Sequence, residues 1–600
     1  MGPPRGRRLC RGEAPRRAGP ARPLSATASR PWSARLRIEA SASQVAAAAI
    51  VAAFLLAFLV VPVGRVFLTA FAAAEGGFTL VHFADFFRTS LFIESFWNSL
   101  YVAGMSVVFA SLLAVPLAVI LARYRFPGSA LIAVLGVLPL VMPPFVGAVA
   151  MQLIFGRNGT VNLLLMDWFD VRLDLMEGLN GVIFVQSLHY FPFILMNLSA
   201  SLSNIDVSME EAGQNLGARG ANLLRTIVLP LALPGYLAGA SLVFVKVFDD
   251  LATPLLLNVT NMLAPQAYLR VTSVGLGDPM GYVISVILVV VSVAAMAGSA
   301  LLLRGRDYAT AQRGGGGLSQ RRMTRTGRIL AWCFVVPALL LVLAPHAGIL
   351  LLSLATIWSF SPLPDGFTLA HYATVLRETP QFLTNTLLFC GIAALIDVVL
   401  GVVIAWLVHR TRLPGRALLD LVAMSALAVP GLVLGIGILR TYFDVHLPGG
   451  DSLATSWIML TIVLAVRRLP YALRAATAAL RQVHRSLEEA AENLGAGSAT
   501  TLARIVVPLM AGGLAAAFVT SFATAAVELS ATLVLVTRDV DAPLSYGIYI
   551  YMQSAAGRGP GAALGVIAVV VVAICTWAAH AFAERERRRR SRTVEPRGAA

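Results

Sequence analysis

Runs of 18 or more residues with almost no charge recur along the whole chain, and that recurrence dictates the fold. Each run is long enough to cross roughly 30 Å of hydrocarbon as a helix. Inside a bilayer the backbone N–H and C=O groups find no water, so only helices or a closed barrel satisfy them. The ten-residue alternating segments of a membrane barrel do not occur. Only 13% of the residues are charged, about half the share in soluble domains. The chain therefore reads as an all-α polytopic membrane protein. Hydropathy places about twelve spans, near 44–64, 98–122, 130–155, 180–201, 228–257 and 282–304, then 329–356, 385–408, 417–440, 456–478, 509–536 and 561–583.

Charge supplies the orientation. The net charge is +16, which in a soluble chain suggests nucleic acid. Here the arginines crowd the first 37 residues, the stretch Arg304 to Arg328 and the tail Arg585 to Arg592. Twelve spans put all three on one side, together with Arg123-Tyr124-Arg125 and Arg410-Thr411-Arg412. Opposite loops carry Asp85, Glu94, Asp167, Asp170, Asp174, Glu177, Asp444 and Asp451. The positive-inside rule then sets both termini in the cytoplasm of a bacterial inner (plasma) membrane, with the basic stretches against membrane lipid and no nucleic-acid partner. Residues 1–43 read as a basic disordered extension, 305–328 as a cytoplasmic linker and 584–600 as a basic cytoplasmic tail. The four cysteines are scattered, so neither a metal site nor a disulfide framework is expected.

The two halves, 44–304 and 329–583, resemble each other. Phe78-Thr79-Leu80 answers Phe367-Thr368-Leu369, Asn98-Ser99-Leu100 answers Asn385-Thr386-Leu387, and Arg125-Phe126-Pro127-Gly128 answers Arg412-Leu413-Pro414-Gly415. Six spans per copy is an even number. Both copies thus enter the membrane the same way, as parallel six-helix repeats about a pseudo-two-fold axis along the membrane normal, with a path at the seam.

The closest match is polar. Glu210-Glu211-Ala212-Gly213-Gln214-Asn215-Leu216-Gly217-Ala218, closing on Ile227-Val228-Leu229-Pro230, returns 278 residues later. The second copy is Glu488-Glu489-Ala490-Ala491-Glu492-Asn493-Leu494-Gly495-Ala496, closing on Ile505-Val506-Val507-Pro508. Each copy follows the fourth span of its half. Ser208 precedes Glu211 by three, as Ser486 precedes Glu489, the spacing of a capping box. Gly217 and Gly495 suit a helix end at positive φ, and Pro230 and Pro508 a bend into the next span. The expectation is a helix–turn–helix on the cytoplasmic side with exposed carboxylates.

Both blocks resemble the "EAA" loop of type I ABC-importer permeases: Glu-Ala-Ala, three residues, Gly, nine residues, Ile, one residue, Leu-Pro. Gly213 and Val507 are mild departures. The resemblance implies that Glu210, Glu211, Ala212, Gly217, Ile227 and Pro230, and likewise Glu488, Glu489, Ala490, Gly495, Ile505 and Pro508, form coupling loops seated on two copies of a cytoplasmic ABC ATPase. It also implies an external solute-binding protein, periplasmic or extracellular. The one lysine, Lys246, follows Val245, so no Gly-Lys-Ser/Thr P-loop exists here. The chain is then expected to be no enzyme and to bind no cofactor, with ATP and Mg used by the partner ATPase.

Ionisable groups in mid-membrane cost at least ~2.5 kcal/mol and mark functional candidates. Fifth spans hold Asp249 and Asp250 in one half and Glu528 in the other; fourth spans hold His189 and, at the repeat offset, Arg467 and Arg468. Two readings stay open: these groups line a translocation path, or they pair across the seam and hold the halves together. Asp249-Asp250-Leu251, Thr253-Pro254-Leu255-Leu256-Leu257 and Glu528-Leu529-Ser530-Ala531-Thr532-Leu533 resemble the fused ferric-iron permeases. Permeases for 2-aminoethylphosphonate, thiamine and polyamines look similar. An ion-coupled secondary transporter also fits the span count but leaves the paired loops unexplained.

Overall fold

The computed structural model describes residues 42–73, 75–303, 321–554 and 556–594. The basic extension and most of the linker, as read from the sequence, lie outside the described residues. The apolar runs form helices because helices alone satisfy their backbone in lipid. Among the described residues nine helices are long and apolar enough to span: Ala42–Ala70, Ser90–Arg123, Gly178–Ser203, Leu224–Phe248, Pro279–Leu302, Arg325–Leu354, Pro380–Arg410, Ser498–Ala526 and Arg558–Ala578. A tenth is the broken pair Ser129–Val141 and Pro144–Phe169, bent by 103°.

The expected twelve are thus nine or ten by length and composition, and the difference has physical causes. The third segment of each half is interrupted, by Pro143-Pro144 in one and Pro430-Gly431 in the other, leaving Arg416–Ser425 and Gly431–Tyr442 as separate short helices. Proline lacks the N–H that would continue the ladder. The tenth segment is the 25-residue helix Trp457–Arg481, made less apolar by Arg467, Arg468 and Arg474. Fifth spans stop early, at Phe248 and Ala526, rather than running to 257 and 536. Beyond each break come short helices: Ala252–Leu256 and Leu263–Leu269, then Thr532–Leu535 and Leu544–Met552.

The short repeated motifs have structural jobs. Ser99 Oγ accepts from the Leu263 N–H at 2.8 Å, as Thr386 Oγ1 accepts from Leu544 at 2.7 Å. Asn98 donates to the Asn261 carbonyl, and Asn385 to Val540 and Ala542. Second spans thereby hold the segment that follows the broken fifth span. On the other repeated turn, Phe78 bridges to Ala72 and Phe367 to Ala355.

The halves interlock. Helix Val61–Ala70 of the first half packs on Gly431–Tyr442 of the second, and Arg325–Leu354 packs on Pro144–Phe155. Glycine permits the approach: a Cβ at Gly437 would stand 2.6 Å from the Pro62 carbonyl oxygen. Close backbone contact at small residues drives such association where lipid is as apolar as the helices. Tyr124–Arg125, after the second span, pairs in parallel with Arg321–Arg322, which leads into helix Arg325–Leu354. The last helix continues to Val594, so the described part of the basic tail is helical.

Candidate functional site

Each polar block forms a short helix, Val207–Asn215 or Arg485–Asn493. The capping box expected from Ser208 and Ser486 is not what starts them. Asp206 is the cap, its carboxylate accepting from the Ser208 N–H at 2.9 Å, and His484 Nδ1 accepts from the Ser486 N–H at 3.3 Å. The chain turns into the helix two residues earlier than the serine spacing implies, so the serines already lie in the first turn.

The ends match the expectation. Gly217 has φ +91° and Gly495 +85°. The Ala218 N–H reaches the Gly213 carbonyl at 3.0 Å and Gly217 reaches Gln214 at 2.9 Å; Ala496–Ala491 and Gly495–Glu492 repeat both distances. This is a Schellman ending, which satisfies the last free carbonyls through a left-handed residue. Gly213 has its own reason: an added Cβ would run into Ile227 of the following helix.

Pro230 and Pro508 do not bend the chain away from the loop. The helices Leu224–Phe248 and Ser498–Ala526 run through them. The turns before the prolines, Leu224–Val228 and Leu502–Val506, are π-helical. A wider turn accommodates a residue that cannot donate. The loop is therefore continuous with the fifth span and moves with it.

The two glutamates of each pair divide. Glu211 and Glu489 are exposed, as expected, but Glu210 and Glu488 are buried. Glu210 pairs with Arg123, and Glu488 lies 2.8 Å from Arg410, each arginine ending the second span of its own half. Burial pushes the Glu488 carboxyl up from its ordinary value, and Arg410 opposes that push. Ala212 and Ala490 are exposed, while Ile227 and Ile505 are half-buried against the loop. Between them stand Leu216 and Leu494, each 89% exposed. A large apolar side chain held rigidly in the open beside an acidic helix is a docking feature. The same leucine in both copies was the available signal.

At the seam, Arg467 sits between the halves, its Nη2 3.4 Å from Asp249 and its Nε 3.5 Å from Glu528. Arg468 pairs with Glu528 as well. Asp249 Oδ2 also accepts from the Gly431 N–H at 3.2 Å, at the start of the second-half helix Gly431–Tyr442. A Cβ at Gly431 would stand 2.6 Å from Arg467 Cζ, so glycine is required there. Asp250 turns away to accept from Gln186 at 2.7 Å. His189 stays apart, edge-on to Tyr190, facing a cavity of about 10 Å³ shared with His346 and Met142. Five of the six expected path residues thus gather on neighbouring elements. Gln186 and Gly431 complete the group, and neither carries a charge that hydropathy would flag. Among the described residues, no three His, Cys, Asp or Glu side chains stand where they would hold a metal ion.

Related sequences agree with this duplicated arrangement. A Haemophilus influenzae protein assigned by name to ferric transport, FbpB 1, is 28% identical over 503 residues, 80% of this chain and 76% of its own. The ferric transport system permease protein FbpB of Actinobacillus pleuropneumoniae is 26% identical over 505 residues, 82% of this chain and 71% of its own. The molybdenum transport system permease protein ModB of Haemophilus influenzae is 38% identical over 148 residues, covering 25% of this chain and 64% of its own. One family model matches twice, over residues 114–307 and 397–588, each match holding one polar loop and one broken fifth span. This chain belongs to the family of binding-protein-dependent transport system inner membrane components, as a multi-pass permease with both copies of the family domain in one polypeptide.

Proposed function

We propose that the chain is the permease subunit of an ATP-driven importer of ferric iron. Two copies of a cytoplasmic ABC ATPase engage its paired loops, and an external binding protein delivers the cargo. The loops face the cytoplasm of a bacterial inner membrane, as do both termini, and the two transport domains occupy 44–304 and 329–583. The observation that carries this reading is the duplicated loop: an acidic helix, a glycine ending and a naked leucine, each continuous with a fifth span that ends in the seam carboxylates. Closing two ATPases on the loops would move those spans as levers and part Asp249 from Arg467.

Support for ferric cargo comes from relatives of matching duplicated architecture named for ferric transport. The paired arginines at first favour an anion, as does the likeness to ModB. In the structure, however, Arg467 and Arg468 are already faced by Asp249 and Glu528, which leaves little positive field for an oxyanion. The same machine carrying 2-aminoethylphosphonate, thiamine or polyamine is the alternative.

The test is reconstitution of the chain with its ATPase and binding protein in vesicles. Radioactive ferric iron should accumulate only with hydrolysable ATP. Uptake that ignores ATP but collapses with the ion gradient would make it a secondary transporter. Labelling of residues 208–230 or 486–508 from outside the cell would sink the coupling scheme.

A further inference from the structure

Helix Arg325–Leu354 begins with an electrostatic mismatch. Its first turn holds Arg325 and Arg328, and no acidic residue. Helix N-termini favour negative charge, so two cations there are misplaced. No Asp or Glu occurs anywhere between residues 308 and 364 to relieve them, and both arginines are exposed, with no carboxylate partner among the described residues. Local rules broken this way without compensation mark places where something else binds.

Beside this turn lies a groove of about 510 Å³ between the second span and helix Arg325–Leu354. Pro116, Ile120 and Tyr124 form one wall, and Leu330, Ala331 and Phe334 the other. Leu330 is 67% exposed. The groove runs into the membrane region from the rim where Tyr124–Arg125 pairs with Arg321–Arg322. That rim is on the same face as the coupling loops, because Arg123, adjacent to Tyr124, holds Glu210. An apolar slot at membrane depth, open to lipid and topped by cations, matches an acyl chain below and an anionic headgroup above. Basic pockets between spans on the cytoplasmic side bind such headgroups.

We propose that this groove is a binding site for an anionic glycerophospholipid. The phosphate sits at Arg325 and Arg328 on the N-terminus of helix Arg325–Leu354, and an acyl chain lies along Leu330 and Phe334. The site has no counterpart in the first half, because only the linker supplies its second strand. It rests on the cytoplasmic placement of the loops, but its test needs neither ATPase nor cargo.

The full-length chain would be placed in nanodiscs of phosphatidylcholine with phosphatidylglycerol, extracted in detergent, and its retained lipid counted by native mass spectrometry. Wild type should keep phosphatidylglycerol in preference to phosphatidylcholine. Arg325→Gln with Arg328→Gln should lower that preference roughly 30-fold, at about fivefold per arginine near an anionic surface. Arg325→Lys with Arg328→Lys should keep most of it. Leu330→Trp, which crowds the groove and leaves the charge intact, should also release the lipid. Unchanged retention in the Gln pair would overturn the site. Loss in the Gln pair with full retention in Leu330→Trp would reduce it to diffuse surface attraction and equally overturn it. Loss in both, with rescue by lysine, is the result expected. Failure here leaves the import reading untouched, since iron uptake is measured separately.

Discussion

Arg410 at the end of one second span lies 2.8 Å from Glu488 in the coupling helix, and Arg123 holds Glu210 the same way in the other half. Arg410 also donates to the Leu480 and Val483 carbonyls at 3.1 and 2.6 Å. One guanidinium thus joins the second span, the end of the fourth and the loop. Force applied to the loop reaches the bundle through buried side chains as well as through the continuous fifth helix.

Breaking that joint should be costly and non-additive. Arg410→Ala leaves Glu488 buried without its cation and should destabilise the chain by about 1–3 kcal/mol, below the full buried-pair value because both side chains keep some solvent. Arg410→Ala combined with Glu488→Gln should cost less than the sum of the single changes. Thermal unfolding in detergent measures all three variants. A strictly additive cycle would mean the contact carries no coupling.

Acidity should register at the same residue. The folded Glu488 carboxyl titrates above its unfolded value because burial outweighs Arg410. The folded state therefore binds more protons in the window between the two values, and stability falls as pH rises through it. Below the unfolded value the benefit is complete. Glu488→Gln should remove that slope from the melting temperature measured across the carboxylate range, while Glu489→Gln should leave it.

Gly495 answers to backbone geometry alone. No atom lies within 4 Å of a Cβ placed there, yet φ is +85°. Gly495→Ala should cost about 1–2 kcal/mol through the left-handed penalty, and Gly495→Asn less, since asparagine tolerates that region. Gly495→Asp adds charge at the proposed interface and should also weaken co-purification of the ATPase. Equal capture by all four proteins would count against the docking role.

Leu216 and Leu494 separate docking from folding. Each is 89% exposed, so Leu494→Asp should leave the melting temperature within about 0.5 kcal/mol of wild type. ATPase capture should fall tenfold or more, and the double change with Leu216→Asp should abolish it. Pull-down of the ATPase, read beside thermal unfolding, decides the matter.

The seam should behave as a charge lock. Asp249→Asn strips Arg467 of its partner from the first half, while Glu528→Gln weakens its tie within the second. Both should cut uptake, but only Asp249→Asn should loosen contact between the halves, seen as faster cross-linking of cysteines placed across the seam. Normal uptake by Glu528→Gln would discard a role for this cluster in the path.

Membrane class, helical content, duplication and the two polar loops were legible because each is local. Hydropathy and a repeated string of residues need no neighbours to be recognised. The left-handed glycines were legible for the same reason: a helix ending depends on the few residues around Gly217 and Gly495. The span count was not. Prolines at 143–144 and 430 break helices that composition alone would have run straight through, and arginines 467 and 468 survive in a buried helix only because Asp249 and Glu528 come to meet them. The serine spacing misled for a related reason, since whether Ser208 or Asp206 caps a helix depends on where the chain turns out of the fourth span. Which glutamate faces outward was decided by Arg123 and Arg410, more than seventy residues away in sequence. Burial, pairing and the approach of Gly431 to Arg467 are relations between distant segments, and only packing the two halves into one another brings them into being.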